Sequence, residues 1–182
     1  VLLALNAELH VRSKDGSRVV SVDDFFLGYR QTALKPGEIL EGIWVPDSAP
    51  GSKTSAYKVS RRRELDISSV AAGIVVTLDD DALVRAVRIG VGGVAATPIR
   101  AQQTEAFLVG KPWTEETVED AAQVIEKEFS PLSDHRSSEW YRRKLIGNLL
   151  RGFFEETKDA DFVAIPHAPT ATLVLEGNHD QV

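Results

Sequence analysis

The apolar residues of this chain change their period part-way along it, and that change limits the fold more than any single motif does. Up to Gly92 they alternate with polar residues or gather in short unbroken runs. From Val118 onward they recur every three or four residues. Strands followed by a run of helices is an α+β order. The strand part starts with "AELHVRSKDGSRVVSV", where Leu9 and Val11 alternate with Glu8, His10 and Arg12, and Lys14-Asp15-Gly16 supplies a turn. A short helix or irregular turn is expected over "DDFFLGYRQTALKPGE", and a further strand over "EILEGIWVP", ended by Pro46.

"DSAPGSKTS", Asp47 to Ser55, has the composition of a linker, and a domain boundary is expected there. Beyond it, Ala56 to Ser60, Ser69 to Leu78 and Leu83 to Gly92 read as three strands. Their short connections favour an antiparallel meander. Thr97 and Pro98 have the chemistry of a helix cap and a first helical residue, with Gly110 as the stop. A second helix is expected from Thr114, its stripe made of Val118, Ala121, Ala122, Ile125 and Phe129. A third spans about Ser137 to Thr157, capped by Ser133 or Ser137, with Trp140, Tyr141, Leu145, Leu149 and Phe153 near one face. The tail from Lys158 reads as irregular.

Composition excludes several function classes. The 182 residues carry a formal net charge of −6. An acidic chain of this kind is not expected to wrap nucleic acid, whose phosphates need a basic surface. The chain holds no cysteine, which removes disulfides, thiolate metal sites and a cysteine nucleophile from it. Val1 to Leu5 is too short an apolar run to span a membrane. It reads as the interior of a longer sequence. The four histidines show no metal-ligand spacing, and Asp79 to Asp81 reads as a hairpin tip.

Two stretches have competing readings. "GVGGVAATP", Gly90 to Pro98, follows a strand and precedes a helix as a phosphate loop would, but lacks the spacing of one. Close packing of strand on helix is the alternative. "YKVSRRRELD" places Arg61, Arg62 and Arg63 in a run beside Glu64 and Asp66. It reads either as a salt-bridged turn or as a local cationic loop that meets an anionic ligand.

The stretches "DDFFLGYRQTALKPGEIL", "YKVSRRRELDISSVAAG", "RIGVGGVAATPIRAQQTEAFLVGKPW" and "SDHRSSEWYRRKLIGNLL" resemble, in one order, the flavin-binding part of xanthine dehydrogenase. More broadly they resemble the medium, flavoprotein component of the molybdenum hydroxylases. The resemblance implies the end of an FAD-binding domain over residues 1–50. It implies a small antiparallel sheet packed with about three helices over 54–157, and a tail over 158–182. It implies that Leu40 lies against the isoalloxazine ring and that Lys58 is the basic residue near it. Arg62, Arg63, Glu64 and Asp66 then belong to the loop that governs access of NAD, with Leu65 where some members carry a second acidic residue.

The glycine-rich segments that hold the FAD pyrophosphate in the family would lie upstream of Val1. The 2Fe-2S clusters and the molybdenum cofactor would belong to partner domains or subunits of a cytoplasmic hetero-oligomer. The activity implied is oxidation of xanthine or hypoxanthine with NAD as acceptor. Carbon monoxide, nicotine and aldehyde hydroxylases are the substrate rivals; "GKPW" and "SDHRSSEWYRR" lean toward xanthine dehydrogenase. A non-catalytic docking scaffold is the rival of another class.

Overall fold

A computed structural model describes residues 1–62 and 66–159. The chain is α+β. Its first part is a three-stranded antiparallel sheet made of β1 (Glu8–Ser13), β2 (Gly16–Ser21) and β5 (Ile39–Trp44), in the order β2-β1-β5. Between β2 and β5 lie a single helical turn, α1 (Val22–Phe25), and a small two-stranded ribbon, β3 (Phe26–Gly28) with β4 (Gln31–Thr32). The alternation of β1 has the expected consequence: Leu9 and Val11 are buried, and Glu8, His10 and Arg12 are exposed. Leu9 and Val11 join Leu3, Ala7, Val20, Val22 and Phe25 in one apolar cluster. Arg18 closes the cluster's rim, with Nε on Glu38 at 2.8 Å and Nη2 on the Ala33 carbonyl at 2.7 Å.

The second part is a four-stranded antiparallel sheet in sequence order. Its strands are β6 (Ser52–Val59), β7 (Val70–Leu78), β8 (Val84–Gly92) and β9 (Ile99–Arg100). Three helices cover one of its faces: α2 (Gln102–Leu108), α3 (Glu115–Glu128) and α4 (Glu139–Thr157). On that face Val70, Ala72, Ile74 and Val76 alternate along β7, and Val87, Ile89 and Val91 along β8. Helices α3 and α4 supply Ala121, Ile125, Ile146, Leu150 and Phe153 to the same core. Trp113 meets Phe153 and Phe154 edge-on, and its indole N–H donates to Thr157 at 3.1 Å.

The other face of this sheet receives the start of the chain, and glycines make that approach possible. A Cβ on Gly90 would stand 2.8 Å from the Leu3 Cβ, and one on Gly73 would stand 2.7 Å from the Val1 Cα. Real side chains do not pack that closely, so the N-terminal segment needs bare backbone under it. Packing is therefore the role the structure gives to Gly90, but its partner is the N-terminal segment and not a helix. Gly93, at φ +86°, makes the turn that follows.

Four local expectations are corrected. Strand β6 begins at Ser52, so the last four residues of the linker-like stretch are strand, paired to β7 from Ser52↔Thr77 onward. Thr97 and Pro98 do not open α2. Ile99 and Arg100 pair with β8 first, and the helix starts at Gln102 without a side-chain cap of its own. Glu128, at the end of α3, caps it instead, accepting from the Gln103 N–H at 2.8 Å and the Thr104 N–H at 3.0 Å.

The cap of α4 is Ser138, whose hydroxyl accepts from the Tyr141 N–H, with Ser133 adding a bond from the Glu139 N–H at 2.8 Å. Ser137 takes no part in it. The buried stripe of α4 runs through Arg142, Ile146, Leu150, Phe153 and Thr157, which leaves Trp140 and Tyr141 facing outward. A guanidinium inside that stripe broke the apolar pattern and displaced the face read from sequence.

Candidate functional site

The strand that carries Leu40 is an edge. In the register of β1 with β5, Val11 lies opposite Leu40 and Leu9 opposite Ile43, so these four side chains share one face. Leu9 and Val11 are buried, but Leu40 is 40% exposed and Ile43 is 47% exposed. The apolar face thus runs outward onto β5, where the described residues do not cover it. Trp44, opposite Glu8, is exposed on the other face of the same strand.

Lys58 occupies β6, opposite Ala71 on β7. Tyr57 and Val59 point to the helix side of the sheet, where Tyr57 packs on the core and donates to Glu156 at 2.6 Å. Burial, and then that carboxylate, push the Tyr57 hydroxyl well above its usual range. Lys58 alternates with them and points to the opposite side. Its ammonium is exposed and makes no hydrogen bond or ion pair among the described residues.

The loop after β6 is only partly described. Arg62 and Asp66 are brought together: the Arg62 N–H donates to Oδ2 of Asp66 at 3.0 Å, and Nε lies 3.8 Å from the same oxygen. The Ile67 N–H donates to the other oxygen at 2.9 Å. The Arg62 N–H bond, with the Ile67 bond and the charges of Arg62 and Arg136, holds the Asp66 carboxyl below its usual range against desolvation. Arg63 and Glu64 lie outside the described residues. Arg61 reaches away from the loop, donating to the His135 carbonyl at 2.8 Å. Leu40 and Lys58 belong to different sheets, three- and four-stranded respectively.

What holds the two sheets in register is a set of charges that the sequence did not reveal. Asp23, on α1, accepts from Arg88 on β8 at 3.0 Å and from Arg100 on β9 at 3.2 Å. Arg88 also donates to the Leu3 carbonyl at 2.8 Å. Arg100 pairs with Glu105, which accepts the Ile89 N–H at 2.7 Å. Arg142 forms a second hub, with bonds to the carbonyls of Ser69 and Gly93 and to Asp134 at 2.6–2.7 Å. The one sequence signal for it is its phase: Arg142 lies four residues before Ile146 and eight before Leu150. Among the described residues no group of three or more His, Asp or Glu is placed to hold a metal ion. No described helix is long and apolar enough to cross a membrane.

Residues 55–157 match the model of the CO dehydrogenase flavoprotein C-terminal domain, more than half of the chain. The chain belongs to the CO dehydrogenase flavoprotein family. Residues 1–48 match the FAD binding domain in molybdopterin dehydrogenase, so the strip carrying Leu40 falls in one family segment and Lys58 in the other.

Among curated relatives, the glyceraldehyde dehydrogenase medium chain of Sulfolobus acidocaldarius is 36% identical over 86% of this chain and 54% of its own length. The xanthine dehydrogenase/oxidase of Gallus gallus is 38% identical over 85% of this chain and 12% of its own. The carbon monoxide dehydrogenase medium chain of Afipia carboxidovorans is 32% identical over 87% and 54%. The chain thus spans about half the length of the medium chains it matches.

Among solved structures, the reconstituted CO dehydrogenase from Oligotropha carboxidovorans superposes with a TM-score of 0.76. It shows 30% identity, and the match covers 83% of this chain and 52% of that one. Quinoline 2-oxidoreductase from Pseudomonas putida 86 gives a TM-score of 0.74 at 28% identity, over 85% and 53%. The flavoprotein fold of this family is therefore the fold described above.

Proposed function

We propose that this chain is part of the FAD-containing portion of a molybdenum hydroxylase that oxidises xanthine or hypoxanthine and passes the electrons to NAD. FAD, when bound, supplies the chemistry that links one-electron carriers, here 2Fe-2S clusters, to a two-electron acceptor. The protein's own residues supply surface and charge. Leu40, with Ile43 beside it, offers an apolar strip to a flat ring. Lys58 offers a positive charge with no partner of its own among the described residues. A free ammonium near the ring favours the form that carries more electrons. Arg62 and Asp66, with Arg63 and Glu64, form the loop that sets which anionic acceptor approaches.

The single observation that carries the reading is the exposed apolar strip on β5, in the segment that matches an FAD-binding domain, combined with a Lys58 that has no partner among the described residues, in the segment that follows it. The iron–sulfur and molybdenum centres belong, in this reading, to partner domains or subunits of a cytoplasmic hetero-oligomer. Residues 1–50 and 54–157 are its two domain pieces.

The test is an anaerobic absorbance spectrum of the native assembly that carries this chain. Xanthine should bleach the flavin band and NAD should restore it. The relative from Sulfolobus acidocaldarius, named a glyceraldehyde dehydrogenase medium chain, favours a second substrate reading. Bleaching by an aldehyde and not by xanthine would replace the purine with it. A protein with no flavin band would remove the flavin reading itself and leave a docking scaffold.

A further inference from the structure

The end of β6 and the start of α4 line an open surface cavity of about 430 Å³ that the flavin reading does not use. It lies on the helix side of the sheet, since Val59 lines it and Lys58 points the other way. The size is that of a small-molecule site.

Its lining has a consistent chemistry. Two guanidiniums, Arg61 and Arg136, border it, and no carboxylate does among the described residues. Among the described residues Arg61 bonds only to a neutral carbonyl, that of His135. Arg136 lies 3.8 Å from Asp134, but that carboxylate is already held by Arg142 at 2.7 Å. Desolvation pushes the Asp134 carboxyl up, yet the Arg136 N–H, the Arg142 guanidinium and the Ser137 N–H outweigh it and hold the group at about 2. Asp66 feels the charge of Arg136 and is shared with Arg62. Neither arginine therefore has a carboxylate to itself among the described residues, and both can meet an anion.

Two rings stand at the same opening. Trp140 is 67% exposed and Tyr141 43% exposed, both in the first turn of α4. Ser133 and Ser138 bond the Glu139 and Tyr141 N–H groups. The Trp140 N–H is left without a partner among the described residues, at the positive end of a 19-residue helix.

The wall behind them is fixed in advance. Arg142, 5% exposed, ties Ser69 just before β7 to Gly93 after β8 and to Asp134. Asp134 in turn holds the backbone N–H groups of Arg136 and Ser137 at 2.9 and 3.0 Å. A prearranged cationic wall beside exposed aromatic faces suits a ligand that is both anionic and planar.

We propose that this cavity binds a small aromatic phosphate of the nucleotide class, its phosphate on Arg61 and Arg136 and its ring on Trp140. The site is separate from the flavin side of the sheet and does not depend on which substrate the assembled enzyme oxidises.

The experiment is calorimetric titration of the native protein that carries this chain with AMP, adenosine and inorganic phosphate in turn. AMP should bind saturably and more tightly than either part alone. Arg136→Gln should weaken AMP about tenfold, as loss of a charge-assisted contact does, and Trp140→Ala should weaken AMP and adenosine alike. Lys58→Ala should leave AMP binding unchanged. Both cavity residues are at the surface, and an unaltered flavin spectrum in each variant reports separately on the flavin site.

Absence of AMP binding to the native protein would overturn the proposal. So would AMP binding that neither Arg136→Gln nor Trp140→Ala alters. Phosphate binding as tight as AMP would reduce the cavity to a plain anion site and overturn it as well.

Discussion

Arg88 on β8 reaches Asp23 on α1 with Nη2–Oδ distances of 3.0 and 3.2 Å, joining the segment that matches an FAD-binding domain to the segment that follows it. The same Nη2 holds the Leu3 carbonyl, so one side chain secures the N-terminal segment at two points. Removing it strands the Leu3 carbonyl and leaves the Asp23 carboxylate to Arg100 alone among the described residues.

Arg88→Ala should therefore lower stability by about 2 kcal/mol, and Asp23→Ala by about 1 kcal/mol. The two effects should not add, because the pair shares a bond. A double-mutant cycle in urea should return a coupling of about 0.5 kcal/mol or more. Strict additivity would show that the bridge holds nothing.

Gly90→Ala should cost about 1–3 kcal/mol. The new methyl lands 2.8 Å from the Leu3 Cβ and 3.2 Å from the Ala4 nitrogen, and neither is the flexible end of a side chain. Gly152→Ala, on α4 with open space around it, should be neutral or slightly stabilising. Equal denaturation midpoints for the two variants would contradict the close approach.

Lys58→Ala should lower the midpoint potential of the bound flavin by on the order of 30 mV, since a lost positive charge disfavours the electron-rich form. Flavin content should stay the same, because the lysine is exposed and unpaired among the described residues. Spectroelectrochemistry of the native assembly reads this directly. An unchanged potential would remove Lys58 from the flavin's surroundings.

Acid should loosen the fold in a defined window. Glu38 is held at about 2 by the Arg18 guanidinium first, then by the Lys35 N–H, and Asp134 is held at about 2 as described above. Both values lie below those of the unfolded chain, so the unfolded state binds more protons between them. The stability these groups contribute is present in full above pH ~4.5 and is lost as pH falls toward ~2. Arg18→Gln should flatten that slope in an acid titration followed by circular dichroism; an unchanged slope would assign the loss to other carboxylates.

Much of the architecture was legible because it is local. The β1–β2 hairpin follows from alternation plus Lys14-Asp15-Gly16, and α3 follows from Thr114 and its apolar stripe, with the Thr114 hydroxyl accepting from the Thr117 N–H. The misread points depend on residues distant in sequence. The cap of α2 comes from Glu128, a helix away, so Thr97 drew attention it did not merit. The face of α4 was displaced because Arg142 is buried by partners just before β7, after β8 and in the loop that precedes α4. At the candidate site, the Arg62–Asp66 pair is one of the pairings that the salt-bridged turn allowed, whereas the exposed state of β5 was not readable. Exposure of Leu40 depends on what else packs on the sheet, and a strand's own residues do not encode that.

The N-terminal segment laid over Gly73 and Gly90 has a consequence for how such proteins can be rearranged. The stretch around Asp47 looks like a natural point for a split or a fusion. Yet the segment that roofs the second sheet enters the chain at the far end of the first, some fifty residues earlier in sequence. A recombination placed at that linker would exchange one sheet and leave the other under a foreign lid. The two family segments are therefore expected to travel between enzymes as a pair, inherited together with the bare glycine backbone that lets them touch.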